Sequence, residues 1–278
     1  MKKIVACVDG ASYTEPVCDY ASWAARRLSL PLEFLHVLDR AEEARFDASG
    51  SIGLGAQEAL LEELSQLDER RSILAREHGR RILEAAMDRA LQKGVTDVDV
   101  RQGHDELVGT LLEIQEDTRL FVIGQHDEEH HPKRFLLDHN LEGAIRALQR
   151  PILVATSRFK EPTRFMIAFD GSPTARKMVD MVADSPILRG MSCTLVTVGD
   201  ASDALSGAQA RLADAGFQVS ARQLQGDPVE ALTGHAETGG MDMLVMGAYG
   251  HSRIRHLVVG STTTALLRRT RIPVFILR

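Results

Sequence analysis

The sequence predicts an α/β protein built as two doubly wound, five-stranded parallel-sheet domains in tandem. Three observations carry that prediction: an internal repeat, an alternation of short apolar runs with helical stretches, and a length that suits two domains. The chain has 278 residues, whereas one domain usually takes roughly 100–200. Apolar residues make up 44% and charged residues 26%, a composition that lets each half bury its own core.

The first strand of each half is the clearest copy. Ile4-Val5-Ala6-Cys7-Val8-Asp9-Gly10-Ala11-Ser12 recurs as Phe165-Met166-Ile167-Ala168-Phe169-Asp170-Gly171-Ser172. Each is an apolar run that ends in Asp-Gly and a small hydroxyl residue, which suits a buried parallel strand followed by a turn. Ser172-Pro173 then opens a helix, with serine as N-cap and proline at the first helical position. Ala175, Met178, Val179 and Val182 follow at helical spacing and make one apolar face.

Later elements repeat in the same order. Leu32–Val37 matches Cys193–Val198, and Val98–Gly103 matches Val219–Gly226. Leu120–Gly124 matches Met243–Gly247, and Pro151–Val154 matches Pro273–Ile276. Helical stretches such as Arg76–Gln92 and Gly207–Ala215 lie between them. Parallel strands need such crossovers, and right-handed ones. The predicted domains are 1–157 and 163–278, with the polar segment Thr156–Arg164 and its Pro162 as linker. The first half has an extra segment at about 39–71. Its glycines suggest a loop, and Leu60, Leu61, Leu64 and Leu67 suggest an amphipathic helix packed on a neighbour. Gly50, Gly53 and Gly55 do not fit GxGxxG, and no GxxxxGK[ST] occurs, so a dinucleotide fingerprint and a P-loop are both excluded.

The chemical signal lies after the fourth strand of the second half. Gly247-Ala248-Tyr249-Gly250 and Gly260-Ser261-Thr262 form the pattern G-x2-G-x9-G-[ST]. Glycines let the backbone approach a ligand closely and form anion-binding nests of N–H groups. Gly260-Ser261-Thr262 is placed to begin the next helix, whose free N–H groups and dipole favour phosphate. In a doubly wound sheet, ligands bind beyond the carboxyl ends of the strands at the switch point, where Asp170 and Gly247 both fall.

This combination resembles the universal stress protein family, over nearly the whole chain and as two fused family domains. The resemblance implies the flavodoxin-like, adenine nucleotide alpha hydrolase-like three-layer sandwich. It also implies a cytoplasmic stress-response protein of the ATP-binding subclass, holding ATP, ADP or AMP with Mg²⁺. Carried over, Asp170 and the Val198 backbone approach the nucleoside. Met246 and Gly247 lie against ribose and adenine, and Gly250, Gly260, Ser261 and Thr262 hold the phosphates. His251 and Arg253 are read as solvated loop charges. The resemblance further implies self-association through the last strand of each domain, as a pseudo-dimer within one chain or as a homodimer.

The first half keeps Asp9 and Gly124 but follows Gly124 with Gln125-His126-Asp127-Glu128-Glu129-His130-His131. Asp138-His139 stands where Gly260-Ser261 is matched through Pro151 and Pro273. A carboxylate at that helix start repels phosphate, so the first half is expected not to bind ATP in the family manner. His126, Asp127, His130 and His131 are set aside as a charged loop rather than a metal site, and Cys7, Cys18 and Cys193 as reduced thiols. The net charge of -6 without a basic run argues against nucleic acid, and no stretch is apolar enough to span a bilayer. The function expected is that of an ATP-binding regulatory protein with at most slow hydrolysis and an unknown protein partner. A non-nucleotide scaffold or small-molecule binder and an ATP-using enzyme are the alternatives.

Overall fold

The computed structural model describes residues 2–38, 54–104, 106–125, 139–200, 202–247 and 261–278. The first half runs β1 (Lys3–Cys7), α1 (Thr14–Leu28), β2 (Leu32–Leu38), α2 (Leu54–Gln92), β3 (Val98–His104), α3 (Leu107–Ile114), β4 (Thr118–Gly124), α4 (His139–Ala147) and β5 (Ile152–Ala155). The second runs β6 (Arg164–Ala168), α5 (Pro173–Ala183), β7 (Ser192–Val198), α6 (Ser202–Asp214), β8 (Gln218–Leu224), α7 (Pro228–Thr238), β9 (Met243–Gly247), α8 (Ser261–Arg269) and β10 (Val274–Leu277). The predicted repeat of alternating strands and helices is present in both.

The two five-stranded units are joined in one sheet. All ten strands align in the order β3-β2-β1-β4-β5-β10-β9-β6-β7-β8. Pairing is parallel within each half, and β5 meets β10 antiparallel through Val154↔Val274, Leu153↔Phe275 and Ile152↔Ile276. Both strands are short and fully buried, so an isolated half would leave a flat apolar edge unpaired. Arg27 donates to Ile187 O at 3.1 Å, and the Gln125 amide donates to Leu267 O across the same junction. The Arg278 guanidinium at the far terminus donates to Arg146 O at 2.9 Å.

The core follows the strand alternation. One face of the sheet buries Ile4, Ala6, Leu32 and Phe34 with Phe165, Ile167, Leu195 and Val245, under α1, α2, α5 and α6. The other buries Val5, Phe121 and Val154 with Met166, Val196, Leu244 and Ile276, under α3, α4, α7 and α8. Each layer draws residues from both halves, so the apolar interior is continuous across the β5–β10 seam.

Two expectations are corrected. The helix expected at Arg76–Gln92 and the separate leucine helix before it are one element, α2, of 39 residues. Its sequence is rich in strong helix formers and contains no proline, so nothing breaks it. Gly79 sits inside it because a Cβ there would stand 2.5 Å from His36 Cδ2 and 2.4 Å from Gln102 Nε2. Leu67 was expected to pack on a neighbour, but it is 54% exposed. The side chains of Leu60, Leu61 and Leu64, and segment 39–53, lie outside the described residues.

The linker is anchored rather than loose. Tyr20 donates to Arg158 O at 3.2 Å and stacks edge-on against Phe159 at 4.8 Å. Buried Asp242 accepts from Lys160 Nζ at 2.5 Å, from Thr163 N and Oγ1 at 3.0 and 2.8 Å, and from Arg164 N at 3.0 Å.

Candidate functional site

In the second half, β6 lies between β7 and β9. The chain runs outward from β6 to β7 and β8, then returns to β9 on the other side of β6, so the switch point falls between β6 and β9. Asp170 follows β6, and Val198 and Gly247 end β7 and β9, so the three stand at the carboxyl ends of three adjacent parallel strands.

Local chemistry fixes this rim. Asp170 is exposed, and its Oδ1 accepts from Ser172 N at 3.0 Å, closing a tight turn around Gly171 at φ +73°. Ser172 Oγ accepts from Ala175 N at 3.1 Å and caps α5, with Pro173 in its first turn. Val198 ends β7 half-buried, and Gly199 N beyond it donates to Leu224 O at 3.0 Å. Met246 is 5% exposed and its side chain packs in the core. Gly247 is the last residue of β9, paired with Leu277. Ser261 and Thr262 form the exposed first turn of α8. This helix leaves the same end of the sheet, so its N–H groups and hydroxyls are presented there. Gly250, Gly260, His251 and Arg253 lie outside the described residues.

The same place in the first half is built differently. Asp9 Oδ1 accepts from Ala11 N at 2.8 Å and from Thr14 Oγ1 at 3.0 Å, and Thr14 Oγ1 accepts from Gly10 N at 2.9 Å. Tyr13, 4% exposed, lies directly against Gly124: a Cβ on Gly124 would stand 2.9 Å from Tyr13 Cβ and 3.5 Å from its Cγ. Aligning the two Asp-Gly turns puts exposed Thr174 at the position of Tyr13. Among the described residues, a Cβ on Gly247 would meet only Thr174 Cγ2, at 3.9 Å. Sequence analysis missed Tyr13, although the repeat alignment contains the signal. What remains in the first half is a cavity of about 110 Å³ lined by Cys7, Asp9, Leu35, Ile123, Asn140 and others. Sites for drug-sized ligands run to roughly 300–1,000 Å³.

This contrast makes a stability prediction. Gly124→Ala must displace Tyr13 and is expected to cost about 1–3 kcal/mol, as overpacking does. Gly247→Ala is expected to change stability by less than about 0.5 kcal/mol. Urea titrations of both variants check this; equal losses would mean that the two crevices are equally filled.

The three cysteines are all free thiols. Burial pushes Cys7 up to about 12, helped by the Asp9 carboxylate, and burial pushes Cys18 and Cys193 to about 12 as well. No grouping of three metal-binding side chains occurs among the described residues. The histidine-rich loop 126–131 and Asp138 lie outside them. No helix among the described residues is long and apolar enough to cross a membrane.

Comparison with known proteins agrees with this architecture. The model of the universal stress protein family matches residues 1–156 and 199–278. The unmatched stretch holds the linker, β6, α5 and β7, where the structure nonetheless repeats the first half. The chain is 34% identical over 287 aligned positions to universal stress protein Slr1230 of Synechocystis, covering all of both chains. It is 27% identical over 79 residues to universal stress protein MJ0577 of Methanocaldococcus jannaschii, covering 28% of this chain and 49% of that one. A universal stress protein structure from Archaeoglobus fulgidus superposes with TM-score 0.71 at 15% identity, covering 99% of this chain and 98% of that one.

Proposed function

The chain belongs to the universal stress protein family, and on that premise we propose that it is a regulatory protein whose second half binds one adenine nucleotide while the first half is silent. The observation that supports this most directly is the asymmetry at the two matched glycines. Among the described residues only Thr174 comes near a Cβ on Gly247, whereas Tyr13 lies directly against Gly124 and narrows the first-half cavity that both line.

The described residues fit a nucleotide. Ser261 and Thr262, exposed at the start of α8, offer N–H and hydroxyl donors to phosphate. In this reading Gly250 and Gly260 of the glycine pattern would add backbone donors. Asp170 and the Val198 backbone stand where the nucleoside would pass, and the backbone of Met246 and Gly247 forms the floor. Bound ATP would supply a state that differs from ADP or AMP by its phosphates and their Mg²⁺, which is what a switch needs. No residue in the described rim is placed as a general base or as an arginine finger, so hydrolysis is expected to be slow at most. The cytoplasm, where ATP and reduced thiols coexist, is the compartment this reading requires.

The test is nucleotide content. The chain is purified gently and denatured, and released nucleotide is identified and counted against protein. About one ATP, ADP or AMP per chain is expected, as for tight single-site binding. About two per chain would overturn the silence of the first half. None, together with no binding of added Mg-ATP, would overturn the nucleotide reading and leave a scaffold.

A further inference from the structure

On its own sequence α8 is a weak helix. It has nine residues, Ser261–Arg269, whereas isolated helices shorter than roughly 12–15 residues are marginal in water. Thr262, Thr263 and Thr264 fill most of its first turn, and β-branched side chains favour a helix poorly. Its order therefore depends on what meets its two ends, where the first N–H groups and the last C=O groups have no partner inside the helix.

At the C-terminal end a partner comes from the first half. Leu266 O accepts from Thr270 N at 2.9 Å, and Arg268 and Arg269 are exposed to water. Leu267 is fully buried, so no solvent serves its carbonyl. Its donor is the side-chain amide of Gln125. Gln125 is itself buried, directly follows β4, and donates its backbone N–H to Ala155 O of β5 at 2.8 Å. The first-half sheet thus holds the amide at that carbonyl. In the repeat the matched residue of the second half is Ala248, whose side chain has no donor.

We propose that Gln125 is a positioning residue for the second-half nucleotide site: the first half, silent itself, caps one end of α8 so that the other end is set to receive phosphate. This rests on the nucleotide reading. At 1.5 Å per residue the helix is only about 13 Å long, so it orders or frays as one unit. Each end then favours the other, because Gln125 and the phosphates both select the same ordered helix.

The experiment combines calorimetric titration of the full chain with Mg-ATP and hydrogen exchange of the nucleotide-free chain, well below its melting temperature. Gln125→Met keeps the side-chain length and removes the donor. Gln125→Glu sets a carboxylate against the same carbonyl, at the negative end of the helix dipole. Mg-ATP affinity is expected to fall at least about fivefold in Gln125→Met, and further in Gln125→Glu. Amides of residues 265–269 are expected to exchange at least about tenfold faster in both variants, with α7 unchanged. A merely structural role would lower the melting temperature and leave the affinity of the folded chain where it was. A wild type that binds Mg-ATP and a Gln125→Met variant that binds it equally well overturn this proposal alone. So does weaker binding with exchange in α8 unchanged, since Gln125 would then not act through the helix. A wild type that binds no Mg-ATP overturns the nucleotide reading and this proposal with it.

Discussion

Replacing Gly260 with aspartate is expected to abolish nucleotide binding by the whole chain while leaving it folded. Gly260 immediately precedes α8, and the matched residue in the first half is Asp138. An aspartate there is a good N-cap, accepting from the same free N–H groups that a phosphate would use. Its charge also opposes the phosphate at the end of the helix dipole. Competition and repulsion together should weaken Mg-ATP binding at least about 100-fold, or about 2.8 kcal/mol at 1.4 kcal/mol per tenfold. Stability should hold or rise slightly because the cap is improved. Gly260→Ser is the control, since a serine caps without charge and should keep most of the affinity. Calorimetric titration with Mg-ATP and a thermal melt of each variant decide it. Unchanged affinity in Gly260→Asp would mean that the phosphates do not lie at α8.

Much of this architecture was legible because it is local and repeated. The Asp-Gly turns at Asp9 and Asp170 mark where β1 and β6 end, and the alternation of strand and helix follows the period of apolar residues. Gly247 was recognisable from its place after a buried run. What was not legible depends on contacts between distant parts of the chain. The family resemblance offers pairing of Ile152–Ala155 with Val274–Leu277 within one chain as one of two alternatives, and the structure has it, but the residues themselves do not choose, since an apolar edge strand looks the same whether a neighbour or a helix covers it. The single length of α2 was obscured because the glycines and leucines of the extra segment at about 39–71 read as a loop and a helix of its own, ahead of the helix expected at Arg76–Gln92. Tyr13 follows the repeated small residues and looks like ordinary helix packing until Thr174 is set beside it. Asp242 is a lone carboxylate before an apolar run, and its partners are some eighty residues away. The sequence shows its charge and not its burial.

Asp242 accordingly carries the largest stability prediction. Its carboxylate ties the start of β9 to the linker and to the start of β6, and so holds the entry to the second half. Asp242→Ala removes acceptors from Thr163 N, Thr163 Oγ1 and Arg164 N at once. The partner Lys160 is 72% exposed, so the ion pair itself adds little. The backbone donors are the larger loss, and about 3–4 kcal/mol is expected at neutral pH. The acid side gives a second readout. Burial pushes this carboxyl up, but the bonds from Lys160, Thr163 and Arg164 more than offset it and hold it below the ordinary value of 3.8. A carboxyl lowered on folding stabilises fully above its unfolded value and loses that contribution as pH falls through its folded value. The gap between wild type and Asp242→Ala in urea unfolding should therefore be constant from neutral pH down to about 4 and narrow below it. Asp242→Asn keeps the shape and one acceptor, so it should fall between the two and lose the acid dependence. A gap that stayed constant through pH 3 would show that the amide bonds do not depend on the charge. A gap near zero at pH 7 would show that the linker is held by Tyr20 and Phe159 alone.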